Sequence, residues 1–137
     1  MKRIYIGLLI GMVFSSCSYL DNKFCNQVTP ITLAEDYYLI LNKKPEKWSG
    51  DGTWYYDIVG KDLNTQRDTL IKAYHYRWYS MISSFCEKGD TLVKKKDSLI
   101  VEIHKRNTIY YMEWQCGNPL INGVSFKDFK RPVHSDM

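Results

Sequence analysis

No run of about 20 apolar residues, the length that crosses the hydrocarbon core of a bilayer, occurs in this chain. The longest apolar stretch, Ile4–Phe14, covers eleven residues, and Asp21, Asn22 and Lys23 follow it closely. CxxC, HxxxH and HExxH are all missing, and His75, His104 and His134 are scattered, so no zinc site is expected. Without GxxxxGK[ST] or GxGxxG there is no phosphate-cradling loop, and nucleotide binding has no support. GxSxG and SxxK are absent too. No segment repeats at a fixed period, and none is of low complexity. Charge of one sign is scarce: the formal net charge is +4, and Lys2 and Arg3 supply half of it. The remaining +2 does not predict a nucleic-acid partner. Hydrophobic residues at 45% with aromatics at 15% exclude a disordered chain.

What is present begins with Lys2 and Arg3, the apolar core Ile4–Phe14, and the small residues Ser15 and Ser16 leading into Cys17. A charged start, a short apolar core and small residues at a cleavage point describe an export signal. With Cys17 at the cut, the segment resembles a bacterial lipoprotein signal ending in a lipobox. Ser15, Ser16 and Cys17 match that pattern, whereas Phe14 stands where Leu is usual. The resemblance implies removal of residues 1–16, lipidation of Cys17, and a place in the bacterial cell envelope, at the outer membrane. Each buried acyl CH₂ contributes about 0.8 kcal/mol, so several chains on one cysteine hold a protein without a transmembrane helix.

Three cysteines then remain: Cys25, Cys86 and Cys116. An exported protein can oxidise them, and an odd number allows at most one internal bridge. Cys86 and Cys116 are the expected pair, because both lie near strand ends. Cys25 falls in Ser18–Thr32, which reads as a flexible tether: polar, with Pro30 and no apolar period. The domain organisation expected is a signal over 1–16, the lipidated cysteine and tether over 17–32, and one β-rich domain over 33–137.

Within that domain, β-branched and aromatic runs alternate with polar turns at roughly ten-residue spacing. Asp36–Lys44 reads as a strand, although Thr32 with Glu35 also fits a helix-starting capping box. Lys47–Gly52 reads as a turn, Thr53–Val59 as a strand, and Gly60–Asp68 as a polar turn. Thr69–Trp78 alternates as a strand, with Leu70, Lys72, Tyr74, Tyr76 and Trp78 on one face. Tyr79–Phe85 is ambiguous, since Trp78, Ile82 and Phe85 stand at helical spacing. Thr91–Val93, Ser98–His104 and Thr108–Gln115 are strands, Lys94–Asp97 a solvated tip, and Cys116–Gly123 a loop. The pattern predicts a mainly β fold, with α+β as the variant. It is a small antiparallel sheet curled into a barrel-like or half-open sandwich, with at most one or two short helices.

The block Glu87–Lys105, through Gly89, Asp90, Thr91, Leu92, Lys94, Ser98 and Leu99, is similar to a hairpin of small lipoproteins from Bacteroidota-type bacteria, a family without characterised function. That resemblance implies fold and compartment rather than an activity.

A hydrolase would need a nucleophile, a base and an orienting group. Ser80, Ser83, Ser84 and Cys86 with His75 and Asp90 offer the residue types without a signature. The carboxylates Glu35, Asp36, Asp51, Asp57, Glu102 and Glu113 likewise have no linking pattern for glycoside chemistry. No catalytic residue, metal or cofactor is therefore assigned, and the chain reads as non-enzymatic. Aromatics are the abundant feature. Adjacent pairs such as Tyr55-Tyr56 and Tyr110-Tyr111 point to opposite faces of a strand, so one of each is expected outward. Trp54, Tyr56, Tyr76, Trp78 and Tyr111 form the candidate binding face. A protein partner, as for an inhibitor or immunity protein, is the first expectation, and a surface glycan the alternative.

Overall fold

A computed structural model of the chain describes residues 23–50, 52–74 and 76–131, and at 53, 76 and 77 the backbone alone. Residues 1–22, with the signal and Cys17, lie outside the described residues, as do His75 and His134. The described elements run α1 (23–34), β1 (Tyr37–Leu41), β2 (Glu46–Gly50), β3 (Thr53–Asp62), β4 (Asp68–Ala73), α2 (Tyr76–Phe85), β5 (Thr91–Lys94), β6 (Ile100–His104), β7 (Ile109–Glu113), β8 (Leu120–Ile121) and β9 (Val124–Ser125).

The strands form one antiparallel sheet in which β4 and β2 flank β3 and the order continues β1-β5-β6-β7-β8-β9. Its two ends do not pair with each other, so the expected curled, mainly β fold is a half-open sheet and not a closed barrel. β1 and β2 lie along the same edge of β3: Leu41 faces Gly60, and Glu46 faces Asp57. They behave as one strand interrupted at 42–45. Pro45 has no N–H to give a ladder, and the gap is bridged where Asn42 N–H donates to the Val59 carbonyl at 2.9 Å. The turn expected at Lys47–Gly52 is consequently mostly strand. Gly52, just before β3, adopts φ 74°, a conformation that costs an L side chain. Gly60 answers a different need. A Cβ there would stand 2.6 Å from the Ile40 carbonyl oxygen, so β1 and β3 approach this closely only over a glycine.

One face of the sheet is covered. Tyr37, Leu39 and Leu41 of β1, Ile58 of β3, Leu92 of β5, Val101 and Ile103 of β6 and Met112 of β7 point inward and are buried. Trp78, Tyr79, Ile82 and Phe85 of α2 pack onto them. Strand β4 stops at Ala73 and does not run on to Trp78. Burial at 78, 79, 82, 83, 85 and 86 recurs with the helical period, which resolves Tyr79–Phe85 as helix. At the C-terminal end the expected loop contains β8, which pairs with β9 just beyond it. Phe129 packs back, 5.8 Å from the ring of Phe85 and 6.0 Å from that of Tyr110.

Two expectations about the N-terminal region and the cysteines are overturned. Residues 23–34 are helical, not a tether: Thr32 is buried and Val28 packs on the core. Thr32 sits in the last turn of α1, so it opens no helix with Glu35. The disulfide is Cys25–Cys116, closing a separation of 91 residues, and Cys86 is a free, buried thiol. The expected Cys86–Cys116 pair fails because Cys86 faces the core behind α2, while α1 brings Cys25 to Cys116 with a Cα–Cα distance of 5.8 Å.

Candidate functional site

The sequence-predicted binding face does not assemble. Tyr56 and Trp78 are core residues, at 7% and 0% exposure. Tyr56 has the inward parity of β3, and Trp78 lies on the helical stripe of α2. The side chain of Tyr76 lies outside the described residues. Trp54 and Tyr111 are exposed but on opposite faces of the sheet. Trp54 stands past the end of the core, with the Lys47 ammonium 3.8 Å from its ring centroid.

A different aromatic group occupies the uncovered face. Trp48 of β2 is the register partner of Tyr55 of β3, and their rings lie 4.4 Å apart. Tyr74, just beyond β4, adds a third ring 5.9 Å from Tyr55. Lys72 reaches over them from β4: its ammonium donates to the Tyr55 hydroxyl at 3.2 Å and lies 4.9 Å from that ring and 5.6 Å from Trp48. The bond to Tyr55 raises the Lys72 pKa and keeps the cation charged. The outward Tyr55 is thereby buried, while Trp48 and Tyr74 remain open to solvent. Asp57, facing Lys72 and Glu46 across the register, adds a carboxylate whose Oδ1 is buried without a hydrogen-bond partner.

Further along the same face, Tyr38, Ile40, Ile100, Ile109 and Tyr111 are exposed around a Glu102–His104 contact of 2.7 Å. A shallow cleft of about 330 Å³ opens there between Tyr38, Asn64, Lys95, Glu102 and His104. A sheet face carrying this many large apolar side chains is unusual for surface with nothing to contact.

Behind the sheet lies a buried polar network. The Tyr79 hydroxyl donates to Glu35 Oε2 at 2.7 Å and accepts from Tyr37 at 2.7 Å. The Lys94 ammonium donates to the carbonyls of Lys95 (2.9 Å) and Glu35 (3.2 Å). Lys94, expected at a solvated tip, is wholly buried because β5 has inward parity there. Burial raises the pKa of Glu35 and lowers that of Lys94. A carboxyl whose folded pKa is raised binds more protons folded than unfolded, so its share of stability falls as pH rises above about 4.5. Glu35→Gln keeps an oxygen for Tyr79 and carries no charge. Denaturation of both proteins across pH 4–8 should show the variant gaining on the wild type as pH rises; a constant difference would refute this titration.

Of the residues considered for nucleophilic chemistry, Ser83, Ser84, Cys86 and Asp90 are engaged elsewhere, and His75 lies outside the described residues. Ser83 Oγ donates to the Pro45 carbonyl at 2.7 Å and Ser84 Oγ to that of Met81 at 2.6 Å. Burial pushes the Cys86 thiol up to about 12, so it is not a thiolate at neutral pH. Asp90 accepts from the Glu87 N–H at 2.8 Å and pairs with Lys105 at 2.6 Å. Gly89 beside it adopts φ 91°, so the Gly-Asp pair builds the turn into β5. Among the described residues, no group of three or more His, Cys, Asp or Glu side chains is placed to hold a metal ion, and no helix is long and apolar enough to cross a membrane.

Comparison with protein-family models, with curated proteins and with solved structures finds no match to this chain.

Proposed function

We propose that this chain is a lipid-anchored, non-enzymatic protein of the bacterial cell envelope, at the outer membrane, whose β domain binds a protein partner. The anchor rests on the lipobox-like run Phe14–Cys17. The binding reading rests on one observation above all: the uncovered sheet face presents Trp48, Tyr74, Tyr38 and Tyr111 beside Ile40, Ile100 and Ile109. Aromatic anchors set among charged neighbours are the composition of protein-binding surfaces. An inhibitor or an immunity protein would suit a domain of this size held at a membrane.

The experiment is a crosslinked pull-down from membranes, with the lipidated chain as bait, beside a Trp48→Ala/Tyr74→Ala variant. The expected result is one stoichiometric protein partner, reduced at least tenfold by the double substitution. A partner recovered equally by both baits would remove the aromatic face from the argument.

A surface glycan is the second reading, favoured by the Trp48–Tyr55–Tyr74 group with Lys72, Asp57 and Glu46 beside it. Aromatic rings stack on sugar faces, and the flanking charges can hydrogen-bond hydroxyls. Retention of polysaccharide without a protein partner, lost in the same double variant, would select it.

A further inference from the structure

Strand β4 has a free edge. Asp62 N–H donates to the Arg67 carbonyl, whereas Asn42 N–H donates to Val59 and Leu63 N–H to Tyr38. Even-numbered residues of β3 therefore bond toward β4, and odd-numbered ones toward β1. With Gly60 opposite Thr69 and Ile58 opposite Ile71, Thr69, Ile71 and Ala73 of β4 face β3. The N–H and C=O groups of Asp68, Leu70 and Lys72 consequently point away from it, and among the described residues no strand pairs with that edge.

The side chains of these same three residues are self-complementary. Asp68, Leu70 and Lys72 all lie on the uncovered face, and Leu70 is 54% exposed. When the strand is laid antiparallel to its own copy with Leu70 opposite Leu70, Asp68 of each strand faces Lys72 of the other. The inward residues Thr69 and Ile71 face each other in the same way. Asp68, Leu70 and Lys72 then all occupy hydrogen-bonded pairs, which is what their outward N–H and C=O groups require. A shift by one residue would set those free groups out of phase and place side chains of opposite faces against each other.

We propose that β4 pairs with β4 of a second copy of this chain about a two-fold axis at Leu70, making one continuous sheet across the dimer. The register is fixed by the Asp68–Lys72 pairs, and the axis is perpendicular to the sheet. The two uncovered faces therefore lie on the same side, and each copy's aromatic group is presented alongside the other's. This proposal is independent of which ligand that face takes.

The test uses the full-length chain, exported by its host, with Leu70→Cys. Residues opposite each other in a hydrogen-bonded antiparallel pair have Cα atoms about 5.5 Å apart, within disulfide reach. Mild oxidation of intact cells should give a dimer band on a non-reducing gel, at least tenfold stronger than for Thr69→Cys, which faces Ile71 of the partner in this register. Among the described residues Cys25 and Cys116 are already joined and Cys86 is buried, and the unsubstituted chain, which also carries Cys17, is oxidised beside the variants to set the background band. Within the Leu70→Cys background, Asp68→Lys should weaken the band by setting like charges together. Adding Lys72→Asp should restore it. Equal bands at 69 and 70, no band at 70, or failure of the charge exchange to restore the band would each overturn the proposal.

Discussion

Cys25→Ser and Cys116→Ser should each lower the free energy of unfolding by about 2–5 kcal/mol, and by the same amount. The bridge closes a separation of 91 residues. It therefore removes much of the loop-closure entropy that the unfolded chain would otherwise retain. It also clamps α1, whose own hold on the core is slight: Val28 is half-buried and Thr32 is the one fully buried side chain of 23–34. Urea midpoints for the two single variants and for their double variant measure this. Because both cysteines serve one bond, the double should be no worse than either single. Cys86→Ala tests the connectivity. That change removes a buried thiol and no crosslink, so its cost should be smaller, and the bridge should survive in non-reducing peptide maps. A Cys86–Cys116 peptide in the wild type would refute this connectivity.

Trp78→Ala should cost about 3–5 kcal/mol, the range for deleting a large buried aromatic. Trp78 is fully buried in α2, with its ring 5.5 Å from that of Trp114. Its removal opens a cavity between the helix and the sheet that neither can close. Tyr111→Ala, at an exposed site, should move stability by on the order of 0.5 kcal/mol. The pair distinguishes a core residue from a face residue, since an exposed Trp78 would give the same small change as Tyr111. The measurement is chemical denaturation at constant m-value.

Strands with strict alternation were readable from the sequence. In β6, Val101 and Ile103 point inward and Ile100, Glu102 and His104 outward, as their alternation demands. Polar turns were readable as well: Asp62 Oδ1 accepts the N–H groups of Asn64 (2.7 Å) and Thr65 (2.9 Å), turning the chain from β3 into β4. Helix α1 was not readable. The positions it turns inward are Cys25, Val28, Thr29, Thr32 and Leu33, a stripe with two aliphatic residues that lie five apart, and an apolar period is too weak to be seen in it. Helix α2 was half-readable, because aromatics at 74, 76 and 78 satisfy a strand period, while Trp78, Ile82 and Phe85 satisfy a helical one. The candidate site suffered from the same indifference. Trp48 lies in the stretch Lys47–Gly52, whose composition is that of a turn, so no alternation places it. Tyr55 and Tyr56 should divide one outward and one inward, and they do; both are nevertheless buried, because Trp48, Tyr74 and Lys72 cover the outward one.

The sequence by itself determined the class of fold and the position of the strong strands. These depend on local periods and local chemistry. Only the tertiary structure decided which cysteines meet, which aromatics are core, and which face of the sheet stays open. Those outcomes follow from where two helices come to lie. α2 covers the face that buries Trp78 and leaves Trp48 and Tyr74 outside, and α1 carries Cys25 to Cys116. A contact between residues 91 positions apart leaves no local signature to read.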